Sequence, residues 1–155
     1  MITPYFFGYG SLVNRATHAY ASAHPAKIAG WRRAWRHVEG REVAFLTAVP
    51  DPDSTIDGLI AAVPDADWSV LDAREAWYRR DIAQSVTHEL SASAQIEIYH
   101  APQAMHRIAS VPHPVLLSYI DVVVQGYLAE FGEDGVARFF ETTDGLGTPM
   151  PIYSI

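Results

Sequence analysis

The sequence predicts an α+β fold with a mixed sheet or small barrel at its centre, because strand-like segments come first and helices come last. Apolar or alternating runs rich in β-forming residues cover 5–7, 26–38, 43–49, 55–63, 82–88 and 94–99. One helix interrupts them over about 65–77, where an aspartate can cap its first turn. Toward the C-terminus, apolar residues recur at helical spacing over 115–131, Gly132 ends that helix, and a second helix is expected over 133–140.

Glycine and proline mark the boundaries between these segments. Gly8 and Gly10 bracket Tyr9, so the chain is expected to turn after the first strand and to form a short helix over 14–21. The sequence Asp51-Pro52-Asp53 predicts a turn between two strands.

The length and composition are those of an ordinary globular protein. The chain has 155 residues, of which 49% are hydrophobic, so residues 1–155 are predicted to form a single domain with its own core. It has no cysteine, which excludes disulfides, zinc–thiolate sites and a cysteine nucleophile. The glycines and prolines in the tail, 142–155, predict coil.

The net charge of −7 disfavours nucleic acid as a partner, because binding to phosphates needs clustered lysine and arginine. The densest basic cluster is Arg32, Arg33 and Arg36, interleaved with Trp31 and Trp35. This pattern is typical of a strand, and we expect its tryptophans to face inward and its arginines to face water.

The N-terminal segment lacks the basic start and apolar stretch of a signal peptide. No uncharged apolar run is long enough to span a bilayer. We therefore expect a soluble cytoplasmic protein without a membrane partner.

The first candidate site is the loop formed by Gly8, Tyr9, Gly10, Ser11 and Leu12. Glycines let a backbone approach a ligand closely and adopt positive φ angles, and successive N–H groups at such a turn can bind an anion. The Ser11 hydroxyl adds a donor. The alternative is a plain strand-to-helix turn in which Tyr9 is a core aromatic residue.

The second candidate is Glu75. On the predicted helix it shares an apolar face with Leu71 and Tyr78, where another apolar residue would be expected. Burial raises the pKa of a carboxyl group and makes it a better proton acceptor near neutral pH. The alternative is a structural glutamate that is paired with Arg79 or held by a tyrosine hydroxyl.

Two other kinds of site are disfavoured. The seven histidines show no HExxH motif or other tight ligand spacing, so no metal site is predicted. Ser11 does not lie in a Gly-x-Ser-x-Gly motif, so a serine nucleophile is not predicted either.

Three segments together resemble the γ-glutamylcyclotransferase superfamily, which includes the AIG2-like and ChaC-like proteins. The run Phe-Phe-Gly-Tyr-Gly-Ser-Leu over residues 6–12 resembles the N-terminal signature of that superfamily. The run Leu-Asp-Ala-Arg-Glu over 71–75, followed by Tyr78 and Arg80, resembles its Leu-Asp-x-x-Glu segment. Tyr119, followed by Gly126 within 114–126, is similar to its C-terminal helix.

This resemblance implies a small mixed β-barrel with flanking helices. It also implies an acyltransferase or amide-cleaving lyase that cyclises a γ-glutamyl amine, amino acid or peptide, such as glutathione, and releases 5-oxoproline. Glu75 would be the catalytic base, the loop of residues 8–12 would bind the substrate, and Tyr78 and Tyr119 would position it. Neither a cofactor nor a metal is needed, and the protein would be a monomer or homodimer.

Two further readings of the sequence remain open. The chain can instead be a non-catalytic module that binds a small metabolite in the same pocket, because a fold does not guarantee an activity. It can also be a purely structural or interaction domain. The tail from Thr143 to Tyr153 is shorter than the Asn-Asp-Arg-x-x-Pro-x-Tyr segment of many bacterial relatives, which implies a different substrate preference.

Overall fold

The computed structural model describes residues 3–37, 45–90, 94–102, 107–108, 115–144 and 152–153. Its strands are β1 Thr3–Gly8, β2 His24–His37, β3 Phe45–Ala62, β4 Arg79–Ile82, β5 Val86–His88, β6 Ala94–His100, β7 Arg107–Ile108, β8 Val115–Leu116, β9 Thr143–Asp144 and β10 Ile152–Tyr153. The α-helices are α1 Ser69–Arg74 and α2 Leu117–Glu141, and short 3₁₀ turns cover Ser11–Val13, Arg15–Thr17 and Pro64–Ala66.

The main sheet is mixed and curled into a half-barrel, as the α+β prediction and the family resemblance require. Its strand order is β4-β6-β1-β3-β2-β5, with β7 and β9 also paired to β2. Strand β1 runs parallel to β6 and antiparallel to β3. A separate parallel pair joins β8 to β10.

Strand β1 is covered on both faces, which explains its unbroken apolar run. Successive side chains of a strand point to opposite faces. Phe7 therefore joins the larger core cluster, where it lies with Tyr127 and other residues of α2. Phe6 joins a second cluster on the other face, with Leu71 of α1 and Tyr99 of β6. The loop that follows β1 therefore begins between α1, which covers one face of the strand, and α2, which covers the other.

The predicted turn at Asp51-Pro52-Asp53 is part of a bulge within one long strand, so the prediction of two separate strands is wrong. In the pairing of β2 with β3, residues 51–54 lie opposite Gly30 alone. The Asp51 carboxylate accepts hydrogen bonds from the backbone N–H of Asp53 at 3.0 Å and the hydroxyl of Ser54 at 2.7 Å. The local turn chemistry is present, but the ladder continues past it.

The helix predictions were partly correct. Helix α2 matches the two predicted C-terminal helices, and its break falls at Gly132, whose φ of 71° favours glycine. The helix expected over 14–21 is absent, because this segment forms 3₁₀ turns and extended chain. The helix expected over 65–77 is shorter and spans only Ser69–Arg74.

The remaining differences concern strand limits. The run over 82–88 is divided between β4 and β5, and Ser85 between them has a φ of 58°. The tail predicted as coil contributes β9 and β10, while residues 145–151 and 154–155 lie outside the described residues. Residues 38 and 43–44 of the predicted strands also lie outside them.

Arg33 contradicts the prediction that the arginines of β2 face water. It shares the strand face of Trp31 and Trp35, because all three residues lie two apart, and its exposure is 0%. Its Nε donates to the hydroxyl of Tyr127 at 3.1 Å, and its guanidinium also lies 4.7 Å from the ring centre of Phe139. The charge is buried because partners from α2 satisfy it.

In the described part of the chain, no helix is both long and apolar enough to cross a membrane.

Candidate active site

A partly open pocket of about 80 Å³ lies where the loop after β1 faces the end of α1. All the residues named above as site candidates line it: Gly8, Tyr9, Gly10, Ser11, Leu12, Glu75, Tyr78 and Tyr119. The rest of the lining is Phe7, Leu46, Arg74 and Tyr99, which the sequence did not single out. Residues far apart in the chain thus meet in one cavity.

The loop is closed by its own backbone hydrogen bonds. The N–H of Val13 donates to the carbonyl of Gly10 at 3.1 Å, and that of Asn14 donates to Ser11 at 3.0 Å. The first amides of a 3₁₀ turn have no partner inside the turn. The amide of Ser11 finds one outside it, because the backbone N–H and the hydroxyl of Ser11 both interact with the hydroxyl of Tyr119. Tyr9 is both a core aromatic residue and a lining residue, because it is buried in the core cluster and also borders the cavity.

Gly8 and Gly10 are needed for close approach and not for positive φ. The described glycines with positive φ are Gly30 and Gly132, so the expectation of positive φ in this loop is wrong. A Cβ at position 8 would lie 2.7 Å from the Cβ of Leu12, and one at position 10 would lie 2.9 Å from the hydroxyl of Tyr119. Larger residues at either position would displace the pocket wall.

Helix α2 holds the loop after β1 in place through direct contacts. Asn14 donates through Nδ2 to the carbonyl of Val122 at 3.0 Å. One turn further, a Cβ at Gly126 would lie 2.6 Å from the backbone nitrogen of Asn14, so only glycine allows this contact. The hydroxyl of Tyr127 donates to the carbonyl of Tyr9 at 2.6 Å. These residues recur at helical spacing with Tyr119, so one face of α2 holds the loop.

Glu75 lies just past the end of α1 and not within the helix. Its N–H donates to the carbonyl of Leu71 at 2.9 Å, and its own carbonyl accepts the N–H of Tyr78 at 2.9 Å. This tight turn directs both residues to the pocket. The prediction that Tyr78 continues the helical face of Leu71 and Glu75 is wrong, because the helix ends at Arg74, but Glu75 and Tyr78 line the same cavity.

The carboxylate of Glu75 is half-buried and receives no hydrogen bond from the described residues. Burial raises its pKa, and the nearby charge of Arg74 opposes the shift only in part. The alternative pairing with Arg79 is not formed, because that guanidinium binds Asp81 at 2.9 Å instead. The carboxylate is therefore a desolvated proton acceptor at the pocket.

Three tyrosines surround this carboxylate. Burial raises the pKa values of Tyr9, Tyr99 and Tyr119, and the charge of Glu75 adds to each shift. Ser11 lies close enough to the hydroxyl of Tyr119 to oppose the shift there. The phenols therefore remain protonated at neutral pH. Two of them already donate within the protein, Tyr9 to the carbonyl of Tyr99 at 2.6 Å and Tyr99 to Asp72 at 2.7 Å.

The position of α1 depends on a polar network that the sequence did not predict. Arg80 binds the carboxylate of Asp72 with two hydrogen bonds, of 2.9 and 3.1 Å, and binds Glu97 at 3.0 Å. The hydroxyl of Tyr99 donates to Asp72 at 2.7 Å, and the Arg80 guanidinium lies 4.2 Å from the ring centre of Trp68. Asp72, three residues before Glu75, therefore has a structural role, and it orients the pocket wall.

No group of three or more histidine, aspartate or glutamate side chains that could hold a metal occurs in the described part of the chain. His18 lies 2.8 Å from the carbonyl of Leu12, and His100 lies 2.6 Å from Asp81. Among the same residues, no histidine is hydrogen-bonded to the hydroxyl of Ser11, which interacts with that of Tyr119.

The family model for AIG2-like γ-glutamyl cyclotransferases matches residues 6–116, which is more than half of the chain. The chain therefore belongs to this family. A search of curated protein sequences finds no significant match.

Solved structures show the same fold at low sequence identity. YkqA from Bacillus subtilis has a TM-score of 0.72 and 15% identity over 96% of this chain, which spans only 56% of YkqA. A γ-glutamyl cyclotransferase has a TM-score of 0.68 and 12% identity, covering 94% of this chain and 92% of its own. A yeast γ-glutamyl cyclotransferase specific to glutathione has a TM-score of 0.60 and 15% identity, covering 93% of this chain and 98% of its own.

Proposed function

We propose that this protein cyclises a γ-glutamyl compound, releasing 5-oxoproline and a free amine, with Glu75 as the catalytic base. The observation that carries the proposal is the half-buried Glu75 carboxylate, which has no hydrogen-bond donor among the described residues and shares a pocket with the backbone of residues 8–12. Membership of the family supports the class of reaction.

The reaction balances without water, metal or cofactor. Glu75 takes a proton from the substrate α-ammonium group, and the amine attacks the γ-carbonyl carbon of the same molecule. A lactam C–N bond forms, the ring nitrogen loses a second proton, and the original amide C–N bond breaks. Glu75 relays both protons to the leaving nitrogen, which departs as an ammonium group. Because the attack is intramolecular, the protein has mainly to hold the substrate in its folded conformation. A base with a raised pKa suits both proton transfers.

The other lining groups have complementary roles in this proposal. The amide of Leu12 would donate to the α-carboxylate or to the oxygen that becomes negative during attack, and Ser11 would do so by exchanging its contact with the Tyr119 hydroxyl for one with the substrate. Tyr78 and Tyr119 border the same cavity and would position the glutamyl chain. Tyr78 is itself fixed, because its hydroxyl donates to the carbonyl of Leu46 at 2.9 Å.

The test is an assay for 5-oxoproline with purified protein and a panel of γ-glutamyl amines, γ-glutamyl amino acids and glutathione. We expect 5-oxoproline from at least one member, in amounts equal to the free amine. If no member gives the product, the proposal is wrong. In that case, equal binding of the same compound by wild type and Glu75→Gln would favour a non-catalytic metabolite-binding module.

A further inference from the structure

We propose that Arg74 recognises a carboxylate on the leaving group, so that the preferred substrates are γ-glutamyl amino acids or peptides and not γ-glutamyl amines that lack a carboxylate. This inference rests on the proposed cyclotransfer. It concerns the leaving group, which is the part of the substrate that the loop of residues 8–12 does not contact.

Arg74 is the last residue of α1 and directly precedes Glu75 in the pocket wall. Its side chain is exposed, whereas that of Glu75 is half-buried, so Arg74 lies nearer the mouth. Its Nη1 donates to the hydroxyl of Tyr20 at 2.8 Å. The Tyr20 ring is anchored in turn, because it meets Phe6 edge-on at 5.0 Å. The guanidinium is therefore held in place at the entrance.

The guanidinium of Arg74 has no carboxylate partner within 4.0 Å among the described residues. The neighbouring arginines differ, since Arg79 binds Asp81 and Arg80 binds Asp72. A guanidinium has five N–H donors, and the bond to Tyr20 uses one of them. The remaining donors form a planar fork that suits a carboxylate.

The geometry of the reaction assigns this fork to the leaving group. The γ-carbonyl and the α-amine must both lie near Glu75, so the glutamyl half occupies the inner pocket. The leaving group varies between substrates and must extend toward the mouth, where Arg74 lies. In a γ-glutamyl amino acid, a carboxylate is attached to the carbon that carries the leaving nitrogen. A side chain adjacent to the base is therefore well placed to bind it.

Two substrates isolate this interaction, because γ-glutamyl-alanine differs from γ-glutamyl-ethylamide only by its carboxylate. We expect wild type to prefer γ-glutamyl-alanine. Arg74→Ala should lower kcat/KM for γ-glutamyl-alanine by about 10- to 100-fold, as for loss of a charged hydrogen bond. It should lower kcat/KM for the ethylamide by a smaller factor, which follows from the loss of a positive charge near Glu75. Arg74→Lys, which keeps the charge and loses the fork, should fall between.

Arg79→Ala is the matched control, because it removes a nearby exposed arginine that is already paired with Asp81. Its ratio of kcat/KM for the two substrates should equal that of wild type. The proposal is overturned if Arg74→Ala lowers kcat/KM for both substrates equally, which would indicate that Arg74 binds the α-carboxylate or acts only on the charge of Glu75. It is also overturned if neither value changes, or if Arg79→Ala changes the ratio instead. Thermal unfolding of each variant checks that it is folded.

Failure of the proposed function gives a different result. If wild type forms 5-oxoproline from neither compound, the affinity of each for wild type and Arg74→Ala is measured by calorimetry. A wild-type preference for γ-glutamyl-alanine that disappears in Arg74→Ala supports the role of Arg74 even then. Absence of any wild-type preference overturns it.

Discussion

Asp57 and Glu75 both carry carboxylates withdrawn from solvent, but among the described residues Asp57 has charged partners and Glu75 has no hydrogen-bond donor. Asp57 is 4% exposed, and it binds Lys27 and Arg138, each at 2.9 Å. Burial alone would raise the pKa of Asp57, but these two cations outweigh it and hold the pKa below its usual range. The charge of Arg74 offsets the burial of Glu75 only in part, and the pKa of Glu75 rises.

The contrast separates a charge that stabilises the fold from one that is available for chemistry. A buried and fully paired carboxylate contributes to structure, because removing it leaves its partners unsatisfied. A desolvated carboxylate without partners costs stability, and such groups are concentrated at functional sites. The two sites are also connected, since the hydroxyl of Tyr127 reaches the carbonyls of both Tyr9 and Asp57, at 2.6 and 2.8 Å.

The largest expected effect is the loss of activity in Glu75→Gln. Removal of a general base should lower kcat/KM for 5-oxoproline formation by about 10²- to 10⁴-fold. The thermal midpoint should stay the same or rise, because the amide removes the cost of desolvating a charge. Product analysis and thermal unfolding of the same preparation measure both effects. If Glu75→Gln loses activity and also has a lower thermal midpoint, the contrast between Glu75 and Asp57 is contradicted.

Asp57→Asn should show the opposite behaviour. We expect it to lower the free energy of unfolding by about 2 to 3 kcal/mol, because Lys27 and Arg138 lose a charged acceptor at a buried position. Activity per folded molecule should change little. Urea unfolding measures the first effect, and Asp53→Asn, at an exposed position of the same strand, is the matched control. Equal stability of the two variants would contradict the structural role of Asp57.

Tyr127→Phe tests the connection between the two regions. The variant removes the hydroxyl that holds the carbonyl of Tyr9, and it leaves Arg33 with one partner fewer. We expect a loss of about 1 to 2 kcal/mol in the free energy of unfolding. The loop of residues 8–12 should also be held less firmly, so KM should rise more than kcat falls. An unchanged KM at reduced stability would show that the pocket does not depend on this hydrogen bond.

The smallest effect is in the pH dependence of stability, where the two carboxylates have opposite signs. Because the folded-state pKa of Glu75 is raised, its contribution to stability is present below the unfolded pKa and is lost as pH rises through the folded value. Because that of Asp57 is lowered, its contribution is present above the unfolded pKa and is lost as pH falls through the folded value.

Melting curves from about pH 2 to about pH 7 should therefore diverge in opposite ways, below about pH 4 for Asp57→Asn and above it for Glu75→Gln. As pH rises, the thermal midpoint of Glu75→Gln should increase relative to that of wild type, whereas the midpoint of Asp57→Asn should decrease relative to it. Parallel curves for wild type and Glu75→Gln would contradict a raised pKa for Glu75.

The sequence predicted the parts of the site that depend on local pattern or family motif. Local pattern or motif points to the glycines after β1, the glutamate near α1 and Tyr119, and they line one pocket. Periodicity alone did not bring them together, because strand pairing and helix packing join these distant segments. Only the family resemblance suggested that the three segments belong to one site.

What the sequence missed depends on distant partners. Arg33 was predicted to face water because arginine is usually exposed, and its partners Tyr127 and Thr142 come much later in the chain. Tyr99 resembled an ordinary strand residue, yet it borders the pocket and binds Asp72. Arg74 was visible only as part of a motif, and its position at the pocket mouth follows from the end of α1.

The most direct test of the central claim is the identity of the product formed in ¹⁸O-labelled water from a γ-glutamyl compound that wild type converts. Intramolecular cyclisation with Glu75 as the base predicts 5-oxoproline that is equimolar with the free amine and contains no label. Free glutamate carrying the label would contradict the account, because it would show that water, and not the substrate's own amine, attacks the γ-carbonyl.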